Sequence, residues 1–172
     1  ETLNWAAQEQ FTGELARTKY GLPIIYVIVN NHFGMTGRAD GEVNGLDYLA
    51  RRAAGFSNHN MHAEVVNGMD VLAVRDAITR AKAIITKGEG PVLLELDTYR
   101  YYGHSLSDPR NEYRTREEEA RWKEVDPVDV FRVELKKSKA FTEKQLKDVE
   151  QKVADRNARA ARRAADAPDP VA

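Results

Sequence analysis

The chain has 172 residues and a formal net charge of −1, with 31% charged and 42% apolar residues. That length accommodates one domain with a sizeable core, and the composition is that of an ordinary globular chain. No global field points to nucleic acid or a membrane surface, no apolar run approaches the ~20 residues that span a bilayer, and the lack of cysteine removes disulfides, thiolate metal sites and a cysteine nucleophile.

The opening, Glu1-Thr2-Leu3-Asn4-Trp5-Ala6-Ala7, has no initiator Met or signal peptide and reads as the interior of a helix. The expectation is a fragment whose N-terminal half is missing. Leu3, Ala6, Ala7, Phe11 and Leu15 recur at helical spacing, which predicts an amphipathic helix over roughly the first twenty residues. Gly21-Leu22-Pro23 ends it. Ile24 to Val29 is a continuous β-branched and aromatic run, suited to a strand buried on both faces in a parallel sheet. It stops at the turn-forming Asn30-Asn31-His32-Phe33-Gly34. Met35 to Asn44 reads as a loop and Leu46 to Ala54 as a short helix. Glu64-Val65-Val66 reads as a strand closed by a turn at Asn67-Gly68.

Asp70 is placed to cap the next helix, with Val71, Val74, Ile78, Ala81 and Ile85 as its buried stripe. Gly88, Gly90 and Pro91 stop that helix. Pro91 to Leu96 is the third strand. The order αβαβαβ indicates an α/β fold with a parallel sheet flanked by helices. Beyond a long loop the chain turns helical. Thr115 with Glu118, and Thr142 with Gln145, have capping-box spacing, and Phe141 can staple onto Leu146. Asp126-Pro127 is an N-cap followed by proline at the first helical position. Leu146, Val149 and Val153 form one narrow apolar seam on the last helix. The four Arg between Arg156 and Arg163 could meet nucleic acid, but the plainer reading is a solvated helix end with cations at the negative pole of the dipole.

Two stretches carry chemistry. In the first, a strand delivers amide side chains into an open turn, which offers hard oxygen ligands. Asn31 could give Mg²⁺ a side-chain oxygen and Phe33 a backbone carbonyl two residues on. The plain alternative is an Asx turn after a strand, with His32 exposed. The second stretch is the loop Thr98 to Arg116, which mixes two Ser, one His, one Asp and four Arg with four aromatics. Connections usually take about two to six residues, and loops beyond about a dozen are often functional. This one follows a strand, at the carboxyl edge where open α/β sheets bind ligands. Arg100 and His104 can contact phosphate oxygens, and His104 can move a proton near neutral pH. The plain alternatives are an Arg100 pair with Asp97 or Asp108, and a solvated His104.

These residues carry a resemblance. Tyr99-Arg100-Tyr101-Tyr102-Gly103-His104-Ser105-Leu106-Ser107-Asp108-Pro109, then Tyr113-Arg114-Thr115-Arg116-Glu117-Glu118, resemble the alpha subunit of the thiamine-diphosphate-dependent 2-oxo acid dehydrogenases, in the form of the pyruvate dehydrogenase first component. Asn30-Asn31 match the end of that family's Gly-Asp-Gly to Asn-Asn cofactor motif, and His32-Phe33-Gly34-Met35 continue as in the family. Val66 to Asp70 and Gly90 to Glu95 also fit. The resemblance implies a partial thiamine-diphosphate-binding domain over residues 1–114 and a helical C-terminal region over 115–172. It implies thiamine diphosphate and Mg²⁺ as cofactors, with Asn31 and the carbonyl of Phe33 ligating the metal and Asn30 setting the turn. Arg100 would anchor the loop or the diphosphate. His104 would contact the diphosphate and assist acyl transfer to lipoyl. Ser105 stands where mitochondrial relatives are phosphorylated.

The implied reaction is decarboxylation of a 2-oxo acid and transfer of the acyl group to lipoyl. The implied partners are a beta subunit, completing a heterotetramer, and a dihydrolipoyl acyltransferase core, with no role for nucleic acid or a membrane. Pyruvate is favoured because Tyr102-Gly103-His104 replaces the Gly-His-His common among branched-chain enzymes, and acetoin is the other alternative. The implied place is the bacterial cytoplasm, with the mitochondrial matrix as alternative. Three departures stand out. Gly-Asp-Gly does not occur in the chain, Gln8 to Gly21 exceeds the usual link from helix to strand, and Glu112 replaces the second phosphorylated Ser. A non-catalytic interaction module with the same fold is the reading from another class.

Overall fold

The computed structural model describes residues 23–41, 43–55 and 61–169. The helix expected over the first twenty residues lies outside the described residues. Three parallel strands form the sheet: β1 (Ile25–Asn30), β4 (His62–Asn67) and β5 (Val92–Asp97), in the order β1-β5-β4. The register places Asn30, Asp97 and Asn67 in one row at the carboxyl ends of the strands. Between β1 and β4 run a two-stranded antiparallel ribbon, β2 (Phe33–Gly34) with β3 (Gly37–Arg38), and a 3₁₀ segment, Leu49–Gly55. A parallel sheet flanked by helices is the predicted class. The ribbon falls where a loop was expected, and the short helix is 3₁₀ rather than α.

Helix α1 (Val71–Thr86) starts where Asp70 accepts hydrogen bonds from the N–H groups of Leu72 and Ala73. It packs on the sheet face made by Val66, Val92 and Leu94. Ala77 and Ala81 sit at the centre of that contact, with Val74, Ile78 and Ile85 at its edges. Val71, expected in this stripe, is exposed in the first turn. On the other sheet face Leu93 and Glu95 are fully buried, and the 3₁₀ segment contributes the buried Ala50 and Ala53.

The expectation that β1 is buried on both faces is corrected. Val27 and Val29 are 46% and 63% exposed, whereas Val92 to Glu95 of β5 are buried on both faces. Among the described residues β5 is the central strand, and α1 packs over β4 and β5 rather than the outer part of β1.

Helix α2 (Arg116–Glu124) is capped by Thr115, whose hydroxyl accepts from the Glu118 N–H at 3.1 Å. Only that half of the expected capping box forms, because the Glu118 carboxylate is engaged by Arg38. The described residues divide into two compact units between Pro127 and Val128. Helix α3 (Pro127–Lys137) begins at its proline, as predicted, and from Val128 on belongs to the second unit. Helix α4 (Glu143–Ala165) opens with the complete Thr142–Gln145 capping box. Glu143 joins the two helices by accepting from Arg132 at 2.5 Å and pairing with Lys136 at 3.0 Å, and Arg132 also meets Glu150. No helix among the described residues is long and apolar enough to cross a membrane.

Candidate functional site

The site is built at the carboxyl edge of the sheet, where the strand ends are locked together. The Thr98 N–H donates to the Asn30 carbonyl at 2.8 Å and the Gly68 N–H to the Asp97 carbonyl at 2.8 Å. Gly68 must be glycine, since a Cβ there would come within 2.3 Å of Thr98 Cγ2 and 2.9 Å of the Asp97 carbonyl oxygen.

Two successive Asx turns leave β1. Asn30 Oδ1 accepts from the His32 N–H at 3.0 Å, and Asn31 Oδ1 accepts from the Phe33 N–H at 3.1 Å. His32 takes the left-handed conformation, φ 63°, so the chain reverses sharply into the β2–β3 ribbon. The Asx turn weighed for this stretch is therefore present, twice. It leaves Asn31 Oδ1 a second lone pair, because a side-chain amide oxygen accepts two bonds. His32, exposed in that alternative, is half-buried instead. Its Nε2 lies 2.5 Å from Asp97 Oδ1 and its Nδ1 3.8 Å from Asp40.

Arg100 ties the long loop to this turn. Its guanidinium donates to the Met35 carbonyl at 2.7 Å and to the Tyr113 hydroxyl at 2.9 Å, and lies 3.7 Å from Asp108. It also sits 5.1 Å above the Phe33 ring. Of the alternatives for Arg100, the observed contacts are those of a loop anchor paired with Asp108. The Phe33 ring is ringed by cations, with Arg38 at 5.1 Å and Arg114 at 5.2 Å as well. Each guanidinium has a counter-charge: Arg38 with Glu118 at 2.5 Å, Arg114 with Glu119 at 2.8 Å, and Arg100 with Asp108. Tyr99 packs edge-on to Phe33 at 5.6 Å and stacks on Trp122 at 4.9 Å, fastening α2 to the same cluster.

Asp108 organises the tip of the loop. It accepts from the His104 N–H at 2.6 Å, the Arg110 N–H at 3.0 Å and the Tyr113 hydroxyl at 2.5 Å. Covering the carboxyl acts to raise its pKa, but those hydrogen bonds, Tyr113 foremost, and the Arg100 charge outweigh it and hold it at about 2. Burial, and then the bond to Asp108, push the Tyr113 phenol up from its ordinary value. Gly103 permits this fold, since a Cβ would stand 2.9 Å from Asp108 Cβ. Among the described residues His104 is held by its backbone only, and its side chain is exposed. Ser105 is exposed too, its hydroxyl 3.1 Å from that of Ser107. An open recess of about 670 Å³ lies beneath, lined by Tyr102, Gly103, Ser105, Leu106, Asp108 and Arg110.

Sequence reasoning brought out Asn31, Phe33, Arg100 and His104 but passed over Arg114 and Glu95. Arg114 is almost fully buried and donates to the carbonyls of Arg100 and Tyr101. The Tyr-Arg-Thr-Arg spacing beside Glu118 and Glu119 was the available signal. Among the described residues no group of three or more His, Cys, Asp or Glu is placed to hold a metal. Donors at the Asn turn are neutral oxygens, the kind Mg²⁺ accepts alongside water and phosphate.

The profile of the family described as "Dehydrogenase E1 component" matches residues 9–172. The chain is 39% identical over 152 residues to the mitochondrial pyruvate dehydrogenase E1 component subunit alpha of Dictyostelium discoideum, covering 88% of this chain and 39% of that protein. It is 40% identical over 152 residues to the Pisum sativum mitochondrial subunit, covering 88% and 36%. To the Zymomonas mobilis subunit it is 47% identical over 115 residues, covering 66% and 31%. It thus spans between 31% and 39% of the length of these relatives. With a profile matched over nearly its whole length, the chain belongs to the dehydrogenase E1 component family.

Proposed function

We propose that this chain provides the metal- and diphosphate-binding part of an alpha subunit of a pyruvate dehydrogenase E1 component, working with a beta subunit and a lipoyl-bearing acyltransferase core. The cofactor-binding part is assigned to residues 1–114 and the helical extension to 115–172. Relatives named as pyruvate dehydrogenase alpha subunits, mitochondrial and bacterial, support the assignment. The observation that carries the reading is the pair of Asx turns after β1, which fixes the backbone around Asn31 and Phe33 at the sheet edge where the long loop is anchored. Asn31 Oδ1 and the Phe33 carbonyl are the groups that would hold Mg²⁺, and their hard, neutral oxygens suit it.

Thiamine diphosphate, when bound, supplies the nucleophilic carbon and the electron sink for loss of CO₂. The chain's own groups hold and position. The aromatic and guanidinium cluster keeps Phe33 in place, and Arg100 keeps the loop against the Asn turn. Because Arg100 already serves Met35, Tyr113 and Asp108, its role is to place the loop rather than to bind phosphate as a free cation. The exposed imidazole of His104 contacts the diphosphate or gives a proton to a lipoyl sulfur as the acyl group passes.

The test is Asn31→Ala in the full-length complex. Removing one oxygen from the metal shell should raise the Mg²⁺ concentration for half-saturation at least tenfold, read by calorimetry at fixed thiamine diphosphate. Asn31→Asp keeps an oxygen ligand and should lose less. An alanine variant that binds Mg²⁺ and cofactor as tightly as the parent leaves Asn31 a turn residue only and removes the proposal.

A further inference from the structure

Glu95 is the one charged residue in the apolar run of β5, and it is fully buried. Burying a carboxylate is costly unless its oxygens are hydrogen-bonded, so its partners show what it does. Oε1 accepts from the Asn30 side-chain amide at 2.7 Å, and Oε2 accepts from the Ala50 N–H at 2.7 Å. No salt bridge to it is found among the described residues. Both near partners are donors, and each oxygen serves one of them.

The bond to Asn30 decides which way that amide points. An amide side chain has one accepting and one donating end. With Nδ2 turned to Glu95, Oδ1 is left to accept from the His32 N–H, which closes the first Asx turn. If Asn30 were reversed, its NH₂ would face the His32 N–H and the turn would lose its closing bond. His32 sits at φ 63°, a conformation uncommon in a residue other than glycine, and one that the closing bond helps hold. The next two residues after this reversal are Phe33 and Gly34 of the ribbon. The carboxylate also reaches across to Ala50, joining the turn to the 3₁₀ segment through one buried group.

We infer that Glu95 is a positioning residue for the cation site: by accepting from Asn30 it sets the amide orientation that closes the turn presenting Asn31 Oδ1 and the Phe33 carbonyl. The inference rests on the proposed function only in calling those two oxygens metal ligands. The orientation argument stands on the hydrogen bonds themselves. A packing role makes a different forecast. If Glu95 merely filled space, the isosteric, neutral Gln would do as well or better, since it lowers the cost of burial. If orientation matters, Gln is a poor substitute, because one of its two ends is a donor and both of its neighbours are donors.

The decisive pair is Glu95→Gln and the double variant Glu95→Gln/Asn30→Asp. In the double variant the introduced glutamine donates to one oxygen of the introduced aspartate and accepts from the Ala50 N–H. The other oxygen of that aspartate accepts from the His32 N–H. Every bond is restored with one reversed in direction, and the formal charge is unchanged. Two measurements on the full-length complex read this. The first is hydrogen exchange at the His32 amide without Mg²⁺ or cofactor, resolved by fragmentation mass spectrometry. Exchange should quicken about fivefold in Glu95→Gln, the size expected for one lost hydrogen bond, and return to within about twofold of the parent in the double variant. The second is the Mg²⁺ half-saturation by calorimetry at fixed thiamine diphosphate, which should rise about fivefold in the single variant and recover in the double.

Unchanged His32 exchange in Glu95→Gln overturns the inference, whatever happens at Ala50. So does a double variant no better than the single. If the exchange results hold but the parent complex itself binds no Mg²⁺ with thiamine diphosphate, the proposed function fails and the control of the turn by Glu95 stands.

Discussion

Replacing Arg114 with Ala should strongly destabilise the loop end of the molecule. Arg114 is 3% exposed and Glu119, its ion-pair partner at 2.8 Å, is 8% exposed. Arg114 also donates to the carbonyls of Arg100 and Tyr101 and lies 5.2 to 5.7 Å from the ring centroids of Phe33, Tyr99 and Tyr113. Breaking a buried pair by removing one partner costs about 3–5 kcal/mol, because the remaining charge is left buried and alone. Desolvated cation–π contacts are worth about 2 kcal/mol, but they overlap with the pair and are not added in full. A loss of about 3–5 kcal/mol is thus expected, a large share of the ~5–15 kcal/mol that holds an ordinary domain folded. Arg114→Lys keeps the charge but not the fork, so Glu119 and the two carbonyls cannot all be served, and about 1.5–3 kcal/mol should be lost, the worth of a hydrogen bond to a charged group. Arg114→Met combined with Glu119→Met removes both charges and should recover at least half of the alanine loss. Urea unfolding of the full-length protein, followed by circular dichroism, measures all three. An alanine variant within about 1 kcal/mol of the parent would refute the view that this buried cation holds the cluster together.

In the complete complex, His104→Ala should depress the lipoyl-dependent rate by roughly 10²–10⁴-fold, the range for general acid help, while decarboxylation with an artificial electron acceptor falls much less. Equal losses at saturating cofactor would make His104 a diphosphate contact alone. The Asp108 carboxyl lies below its ordinary value, at about 2. The unfolded loop therefore takes up the proton first, and the stability that Asp108 contributes is fully present above about pH 4 and is lost as pH falls through about 2. Exchange protection of the His104 and Arg110 amides should weaken over that window, and an Asp108→Asn variant with the same pH profile as the parent would exclude Asp108 as the cause.

What could be read from the sequence was what short-range chemistry determines. β-Branched runs marked the strands, Asp70 and Thr142 marked helix starts through bonds only two or three residues long, and Pro127 marked another. The central position of β5 was not legible. Burial depends on which strands pair, and β1 and β5 are partners some 67 residues apart, as in Ile25 with Val92. Composition makes β1 and β5 look alike. The β2–β3 ribbon escaped because two residues on each side are too few to show alternation. Arg100 was read as a phosphate ligand or an anchor because a guanidinium suits either. Only the fold, by placing Met35, Tyr113 and Asp108 around it, selects among those contacts.

Glu95 shows what a stricter reading could have extracted. The run Val92-Leu93-Leu94-Glu95-Leu96 puts one carboxylate in a strand otherwise fit for burial on both faces. A charge in such a place has two physical outcomes: it faces solvent at an edge, or it is buried and every oxygen must find a donor. Since β5 turns out to be central, the second applies, and the donors must come from neighbours in space. In a parallel sheet flanked by polar turns, the available ones are the amide at the end of an adjacent strand and a free N–H at the start of a covering segment. Those are Asn30 and Ala50. With β5 central, the anomaly in the pattern points toward the Asn turn, because the demand for hydrogen-bond donors singles out the adjacent strand that ends in an amide.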